Sequence, residues 1–298
     1  MRVYMLTPVL RQQMNREIRQ KLLPIAPIPT DTPPELRQMG DIRCVAFDVY
    51  GTLLVSAAGE IGTAQEASAG VGPFAEVAHL LGLPRTLEGT LAETYYRIIA
   101  EYHDQARRHG SHHPEVDIRK IWRKVLATVK PHTPPQPEWV ALSYELTANP
   151  VWPMPGAQRL LRGLVAHGMR VALVSNAQFY TPIILEVLFG TSLKEMRLHP
   201  CVWSYEIGEA KPAALPFHHL INSLRAEGIE PGETLYVGND MLNDIVTAQD
   251  QGLRGILFAG DSRSLRRRGD MDTIRNRTPD AVITALDQLP AVIGIGKQ

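Results

Sequence analysis

The sequence predicts an α/β fold, in which a parallel sheet is flanked by helices and interrupted by an all-helical insertion. Three observations carry this prediction. An apolar run at residues 42–47 stops at a carboxylate, which is typical of a buried strand. Residues 75–148 show helical periodicity only. From residue 157 to residue 258, helical and strand segments alternate, which indicates parallel strands joined by right-handed crossovers.

The composition indicates a chain that builds its own core. Its 298 residues are 44% hydrophobic, enough for one large domain or two ordinary ones. The 31 basic and 31 acidic residues balance, so we expect a small-molecule substrate and neither nucleic acid nor a membrane as partner. Two cysteines and no apolar stretch approaching about 20 residues indicate a cytoplasmic protein. The sequence leaves the oligomeric state open.

Residues 1–40 are predicted to form a helix followed by a proline-rich linker. Apolar residues recur there at spacings of three and four, which predicts one apolar stripe: Val3, Leu6, Leu10, Met14, Ile18 and Leu22. We favour a helix packed on the body of the protein. An organelle presequence or surface anchor is the alternative, because the segment is rich in basic residues. Five prolines between residues 24 and 34 predict an extended linker.

The remaining elements are predicted in chain order from periodicity and turn residues. Residues 57–72 are rich in Gly, Ala and Ser and are expected to form a loop that acts as a lid or flap. Helix connections are expected at 109–114 and 131–137 within the helical block. The predicted strands are 42–47, 170–174, 201–204, 234–237 and 255–258, and the later helices are 157–166, 183–189, 214–227 and 245–251.

Polar side chains follow three of the predicted strands, at the point where each strand ends. They are Asp48, then Ser175 with Asn176, then Asn239 with Asp240. Because the carboxyl ends of parallel strands line one crevice, we expect these groups to converge. Lys211 follows the strand at 201–204 and opens a helix, so its ammonium is expected to reach the same crevice.

These segments resemble, in order and spacing, the four motifs of the haloacid dehalogenase-like hydrolases. The matching stretches are FDVYGTLL (47–54), LVSN (173–176), Lys211-Pro212 and VGNDMLND (237–244). The resemblance covers roughly residues 42–290. It implies a Rossmann-like parallel-sheet core formed by 41–56 and 150–298, with an inserted α-helical cap domain at 57–149.

The resemblance also implies roles for individual residues. The implied catalytic residues are Asp48, Thr52, Ser175, Asn176 and Lys211, and the implied substrate-binding residues are Tyr50, Ser175 and Asn176. Asp48 is the implied nucleophile, which forms a covalent ester or acyl phosphate and divides one difficult displacement into two easier steps. Ser175 is expected to donate to a substrate oxygen, and Lys211 to balance negative charge.

A magnesium site is implied in the same way. Its expected members are Asp48, Tyr50, Asn239, Asp240 and Asp244. Mg²⁺ is the cofactor that this reading implies for a phosphatase, whereas a true haloacid dehalogenase needs no metal. In the metal-free alternative, the fourth motif orients Lys211 and the hydrolytic water.

Two departures from the family pattern keep both activities open. The phosphatases usually have Asp two places after the nucleophile, where it protonates the leaving alcohol and contributes about 10² to 10⁴ in rate. Tyr50 stands there instead, and its ordinary pKa of about 10 makes it a poor acid. Haloacid dehalogenases commonly carry Tyr at this place, since halide departs without a proton. The second departure is the loop of Asn239, Asp240 and Asp244, which points instead to a phosphatase. Arg97 is a candidate for halide binding.

Two further interpretations concern other parts of the pattern. A catalytically degenerate member that serves as a binding or assembly protein is the alternative function, with Tyr50 and Asn239 as marks of decay. The basic loop Arg263, Arg266, Arg267 and Arg268 is expected to be a solvated surface, since acidic residues accompany it in the sequence.

Overall fold

The structure is a computed structural model that describes residues 6–59 and 72–295. Most of the lid predicted at 57–72 therefore lies outside the described residues, as does Val3 of the predicted apolar stripe. Among the described residues, no helix combines the length and apolar character needed to cross a bilayer.

The core is a six-stranded parallel sheet, which confirms the predicted α/β class. The strands in chain order are β1 Cys44–Phe47, β2 Leu54–Ser56, β3 Val151–Pro153, β4 Arg170–Ser175, β5 Leu198–Trp203, β6 Thr234–Gly238, β7 Arg254–Phe258 and β8 Ala281–Ile283. The sheet order is β5-β4-β1-β6-β7-β8. Since β1 pairs with both β4 and β6, the residues that follow these three strands lie side by side at one edge.

Helices cover the sheet and fill the insertion. They are α1 Pro8–Lys21, α2 Gly72–Leu80, α3 Glu88–Arg108, α4 Ile118–Val129, α5 Pro137–Ala148, α6 Ala157–Ala166, α7 Thr181–Phe189, α8 Ser204–Ile207, α9 Leu215–Arg225, α10 Thr247–Asp250 and α11 Leu289–Val292. The four helices α2 to α5 lie between β2 and β3, which pair antiparallel at the base of the insertion. The described part of residues 75–148 is thus helical, as predicted.

Helix α1 packs on the body of the protein, as the apolar stripe predicts. The Thr7 hydroxyl caps its first turn, and Leu10, Met14 and Ile18 are buried against α5 and α7. Two ion pairs of 2.5 Å hold its polar side: Arg11 with Glu186 of α7, and Lys21 with Glu76 of α2. The helix therefore contacts both the insertion and the layer that covers the sheet.

The proline-rich linker is extended, as predicted, and it is tied to the core. Ile28 N donates to Asp261 Oδ1 at 3.1 Å, and the Thr30 hydroxyl donates to the Ala259 carbonyl at 2.6 Å. Glu35 forms an isolated antiparallel bridge with Val282 of β8. These contacts fasten the loop that follows β7.

The structure differs from the predicted elements at short or irregular segments. Strands β2, β3 and β8 have three residues each, too few to give a periodic signal. The helix predicted at 245–251 begins earlier, as a π-helix over Met241–Val246, and continues as α10. A π-helix widens the turn, and such turns are frequent at functional sites.

The buried face of α1 is expected to contribute strongly to stability. Ile18 is fully buried, so Ile18→Ala is expected to lower the free energy of unfolding by about 2–5 kcal/mol, measured by denaturant titration. Val9→Ala is the matched control, because Val9 on the same helix is 67% exposed. Equal effects of the two substitutions would contradict the observed packing of this helix.

Candidate active site

Asp48 lies at the centre of the carboxyl edge of the sheet. Its Oδ1 atom accepts hydrogen bonds from Ser175 Oγ at 3.0 Å and from Lys211 Nζ at 2.8 Å. Its other oxygen, Oδ2, accepts no hydrogen bond from the described residues. The carboxylate lines a cleft of about 70 Å³. Asp48 therefore has one oxygen fixed and the other open to reaction.

The Lys211 ammonium is buried between two carboxylates. Nζ lies 2.8 Å from Asp48 Oδ1 and 2.6 Å from Asp244 Oδ1, and it also donates to the Tyr236 hydroxyl at 2.9 Å. Burial opposes the charge, but Asp244 and then Asp48 outweigh it and raise the pKa of Lys211 well above its ordinary value. The ammonium therefore remains charged.

Asn176 holds the backbone of Lys211 in place. Its Nδ2 donates to the Lys211 carbonyl at 3.0 Å, and its Oδ1 accepts from Lys211 N at 2.7 Å. Asn176 also lines the cleft, but both ends of its amide are engaged. Its position thus explains how the lysine reaches the site, while its contact with substrate stays a prediction.

Asp244 lies on the π-helix and has both oxygens engaged. Oδ1 faces Lys211, and Oδ2 accepts from Asp240 N at 3.0 Å. Burial raises the pKa of Asp244 to about 7, and the Lys211 ammonium opposes that rise. Gly238 permits this close approach, since a β-carbon there would overlap the Asp244 side chain. Asp244 therefore acts on the site through Lys211.

Asp240 is held by a guanidinium. Arg268 Nε lies 2.8 Å from Asp240 Oδ1, and Arg268 Nη2 lies 2.6 Å from Oδ2. Oδ1 also accepts from the backbone N–H groups of Leu242 and Asn243, which caps the π-helix. The carboxylate is thus already neutralised and bonded at both oxygens.

The first motif packs against the loop that follows β7. Thr52 Oγ1 donates to Asn239 Oδ1 at 3.0 Å, and Asn239 Nδ2 donates to the Ser264 carbonyl at 2.7 Å. Gly51 has φ of +82°, and a β-carbon there would collide with Ser264. Thr52 thus ties the turn after β1 to the fourth motif, and its implied catalytic role stays a prediction.

The predicted magnesium ligands divide into engaged and open groups. Asp240 and Asp244 are paired with cations, and among the described residues no three His, Cys, Asp or Glu side chains form a metal-binding group. Of the other predicted side-chain ligands, Asp48 Oδ2 accepts no hydrogen bond from the described residues. Asn239 Oδ1 accepts one hydrogen bond and can accept a second. This donor set fits Mg²⁺ held mainly by water and substrate oxygens, a common arrangement for this ion. It does not fit a site built from protein ligands alone.

The Tyr50 phenol is buried and bonded away from the nucleophile. Its hydroxyl lies 2.8 Å from Thr181 Oγ1 at the start of α7. Burial, followed by the charge of Glu145, raises the pKa of Tyr50 well above its ordinary value. Tyr50 lines the cleft, but its hydroxyl offers neither a ready proton nor a metal-binding anion.

The expectation of a solvated basic loop is wrong for most of its arginines. Arg266 lines the cleft, Arg268 holds Asp240, and Arg263 lies 3.1 Å from the buried Asp261. Only Arg267 of the four is exposed. The sequence places Asp240 far from this loop, so local counting of charges misses the pairing.

Arg97 does not lie in the cleft. It is exposed on α3, where it pairs with Glu101 one helical turn away at 2.5 Å. The candidate for halide binding is therefore not supported by its position.

Tyr236 and Ser264 are site residues that sequence reasoning missed. Tyr236 lies two residues before the end of β6, donates to the Val174 carbonyl at 2.7 Å and accepts from Lys211. A phenol close to the end of an apolar strand was the available signal. The contact of Ser264 with Asn239 had no local signal, because it joins segments 25 residues apart.

The close approach at Gly238 yields a stability prediction. Gly238→Ala is expected to lower the free energy of unfolding by about 1–3 kcal/mol, because the added methyl displaces the Asp244 carboxylate. Chemical denaturation measures the effect. Gly232→Ala is the matched control, since its added methyl meets nothing within 4 Å. A Gly238→Ala protein as stable as the control would refute the tight packing.

Three solved structures are similar to this chain, and the first of them, with a TM-score above 0.5, has the same fold. A 2-haloacid dehalogenase from Pseudomonas syringae pv. Tomato DC3000 shares 22% identity, with coverage of 84% of this chain and 97% of that chain and a TM-score of 0.53. A HAD phosphatase from Thermococcus onnurineus shares 17% identity over 84% and 97% of the two chains, with a TM-score of 0.48. The magnesium-bound HAD-hydrolase YfnB from Bacillus subtilis shares 16% identity over 85% and 99%, with a TM-score of 0.46.

Comparison with sequences identifies the family. No curated protein sequence matches the chain. The family profile described as haloacid dehalogenase-like hydrolase matches residues 42–252, a span that includes all four segments of the site. The chain therefore belongs to the haloacid dehalogenase-like hydrolases.

Proposed function

We propose that the protein hydrolyses a small molecule through a covalent intermediate on Asp48. The observation that supports this most directly is the asymmetry of the carboxylate: Ser175 and Lys211 hold Oδ1, while Oδ2 is unbonded by the described residues. Oδ2 attacks the substrate, the leaving group departs with the electron pair of the broken bond, and water then cleaves the new ester or acyl phosphate. The Lys211 ammonium offsets the negative charge that gathers in the cleft.

The leaving group departs without a proton from residue 50. The Tyr50 hydroxyl is bonded to Thr181, and its pKa is raised by burial, so it does not serve as the acid that an alkyl phosphate needs. Halide and weakly basic alcohols or acids leave without such help. The site is therefore suited to these leaving groups.

Two reactions satisfy this condition, and a separate observation supports each. Carbon–halogen cleavage needs neither an acid nor a metal, which agrees with the engaged Asp240 and Asp244. Phosphoryl transfer is supported by Asn239 Oδ1, which accepts one hydrogen bond and would hold Mg²⁺ together with water and substrate oxygens, while Asp48 Oδ2 attacks. When bound, the ion would neutralise charge on the phosphoryl oxygens.

The site argues against a degenerate binding protein. Lys211, Asp48 and Asp244 are all buried, and apolar residues in such places are often neutral or favourable for stability. Buried charges that converge on a cleft with perturbed pKa values are typical of functional sites. The network is therefore better explained by catalysis than by folding.

An activity panel tests the proposed function. The purified protein is expected to release phosphate from a generic aryl phosphate, with a dependence on Mg²⁺, or chloride from 2-chloropropionate without added metal. Asp48→Asn is expected to abolish either activity, since an amide is a poor nucleophile.

The control for this panel is Asp287→Asn. It removes a solvent-exposed carboxylate that does not line the cleft, and it is expected to retain full activity. Activity that survives Asp48→Asn would refute the covalent mechanism. No release of phosphate or halide above the Asp48→Asn background would instead favour the binding-protein alternative.

Tyr50→Phe tests the argument about the leaving group. We expect the rate on the active panel substrate, and the slow rate on an alkyl phosphate, to stay within about tenfold of wild type, because acid catalysis would be worth about 10² to 10⁴. Steady-state kcat/KM is the measurement. Tyr205→Phe serves as the control, since the Tyr205 hydroxyl bonds to Glu206 away from the cleft. A hundredfold loss of kcat/KM with Tyr50→Phe, but not with Tyr205→Phe, would show that Tyr50 acts as the general acid.

A further inference from the structure

A second cavity lies beside the catalytic cleft, between the helical insertion and the loop that follows β4. Its volume is about 330 Å³, and four tyrosines line it: Tyr95, Tyr96, Tyr144 and Tyr180. Ala58 lines this cavity, and its neighbour Gly59 lines the cleft. The loop after β4 is shared in the same way, with Asn176 at the cleft and Gln178 at the cavity. A molecule bound at Asp48 therefore has this cavity next to it.

Two glutamates line the cavity without a cationic partner among the described residues. Glu145 accepts hydrogen bonds from the Tyr180 hydroxyl at 2.8 Å and from Asn149 Nδ2 at 3.3 Å. Glu115 accepts from Gln178 Nε2 at 3.2 Å and from the Ser204 hydroxyl at 2.8 Å. Burial raises the pKa of both carboxyls, as expected where neutral groups alone surround a buried acid.

The positive groups of the cavity do not compensate these acids. Arg107 is exposed and pairs with Asp104 at 3.3 Å. Burial, followed by the charge of Arg107, lowers the pKa of His103, which favours the neutral imidazole. The interior of the cavity thus combines uncompensated carboxylates with aromatic walls.

The Tyr95 hydroxyl is a further polar group of the cavity. Tyr95 is 6% exposed and lines the cavity, yet its hydroxyl makes no hydrogen bond to another described residue. Its ring packs against Tyr144, with centroids 5.3 Å apart, and against Tyr96 at the same distance. Because Tyr95 lines the cavity, its hydroxyl is available to a ligand bound there.

We propose that this cavity binds an alkylated ammonium group carried by the part of the substrate that does not react. Aromatic faces attract such cations, and cages of aromatic rings recognise quaternary ammonium ligands. The Glu145 carboxylate attracts the cation, and the cation provides the positive charge that the described residues do not place beside Glu145. An anionic group in the same place would face two carboxylates. The inference rests on the proposed function only in assigning the bound cation to the substrate.

Binding of choline to the full chain tests the inference independently of turnover. Isothermal titration is expected to give a dissociation constant for choline at least about fivefold lower than for 3,3-dimethylbutan-1-ol, its neutral isostere, since a desolvated cation over aromatic rings gains about 1–2 kcal/mol. Asp48→Asn is expected to bind choline like wild type. Equal affinity for the two compounds, or no binding of choline, would overturn the inference even if the activity panel succeeds.

Three variants test whether choline binds in this cavity. Glu145→Gln keeps the size of the side chain and is expected to reduce the preference for choline to less than about threefold. Tyr96→Leu, at a half-buried position, provides a second test that removes a ring, and it is expected to weaken choline by at least about fivefold. Glu93→Gln is the control, since Glu93 is exposed on the same helix. Equal affinity of choline for wild type and the three variants would refute the assignment to this cavity. Choline that does not inhibit the turnover of a substrate found active in the panel would refute it as well.

Discussion

The contact of the Lys211 ammonium with Asp48 and Asp244 is the interaction on which the site depends. Three buried charges this close are tolerable only because each has a partner of opposite sign or a hydrogen bond. The lysine offsets the repulsion between the two acids, fixes one oxygen of the nucleophile and thereby leaves the other oxygen to react. Tyr236 and Val174 complete its surroundings with uncharged acceptors. Without the ammonium, Asp48 and Asp244 would repel each other in a poorly solvated space.

The topology of the sheet explains why these groups meet. Strand β1 lies between β4 and β6, so the positions after each strand are neighbours although more than 60 residues separate them along the chain. Lys211 arrives from the adjacent β5 side and is fastened by Asn176. The linker at the N-terminus adds support from outside, because it ties down the loop that carries Ser264 and Arg266.

Much of this arrangement was predictable from the sequence, because it follows from the ends of strands. Asp48 and Ser175 each end an apolar run, Lys211 comes after the next predicted strand, and parallel strands bring such positions together. The pairing of Asp240 with Arg268 and the two bonds of Asn176 to a backbone were not predictable. They depend on side-chain contacts between segments that have no fixed spacing. The π-helix escaped prediction as well, since its widened turn weakens the usual helical periodicity.

Helix α1 bridges the helical insertion and the layer of helices beside the sheet. Its apolar stripe contacts α5 of the insertion and α7 beside the sheet, and its ion pairs reach α2 and α7. A motion that separated these layers would have to detach the helix from one of them and expose Leu10, Met14 or Ile18 to water. Burial of each such side chain is worth about 1.5–3 kcal/mol, so the helix opposes separation of the two layers. A segment that lies outside all four motifs therefore holds the insertion against the layer beside the sheet.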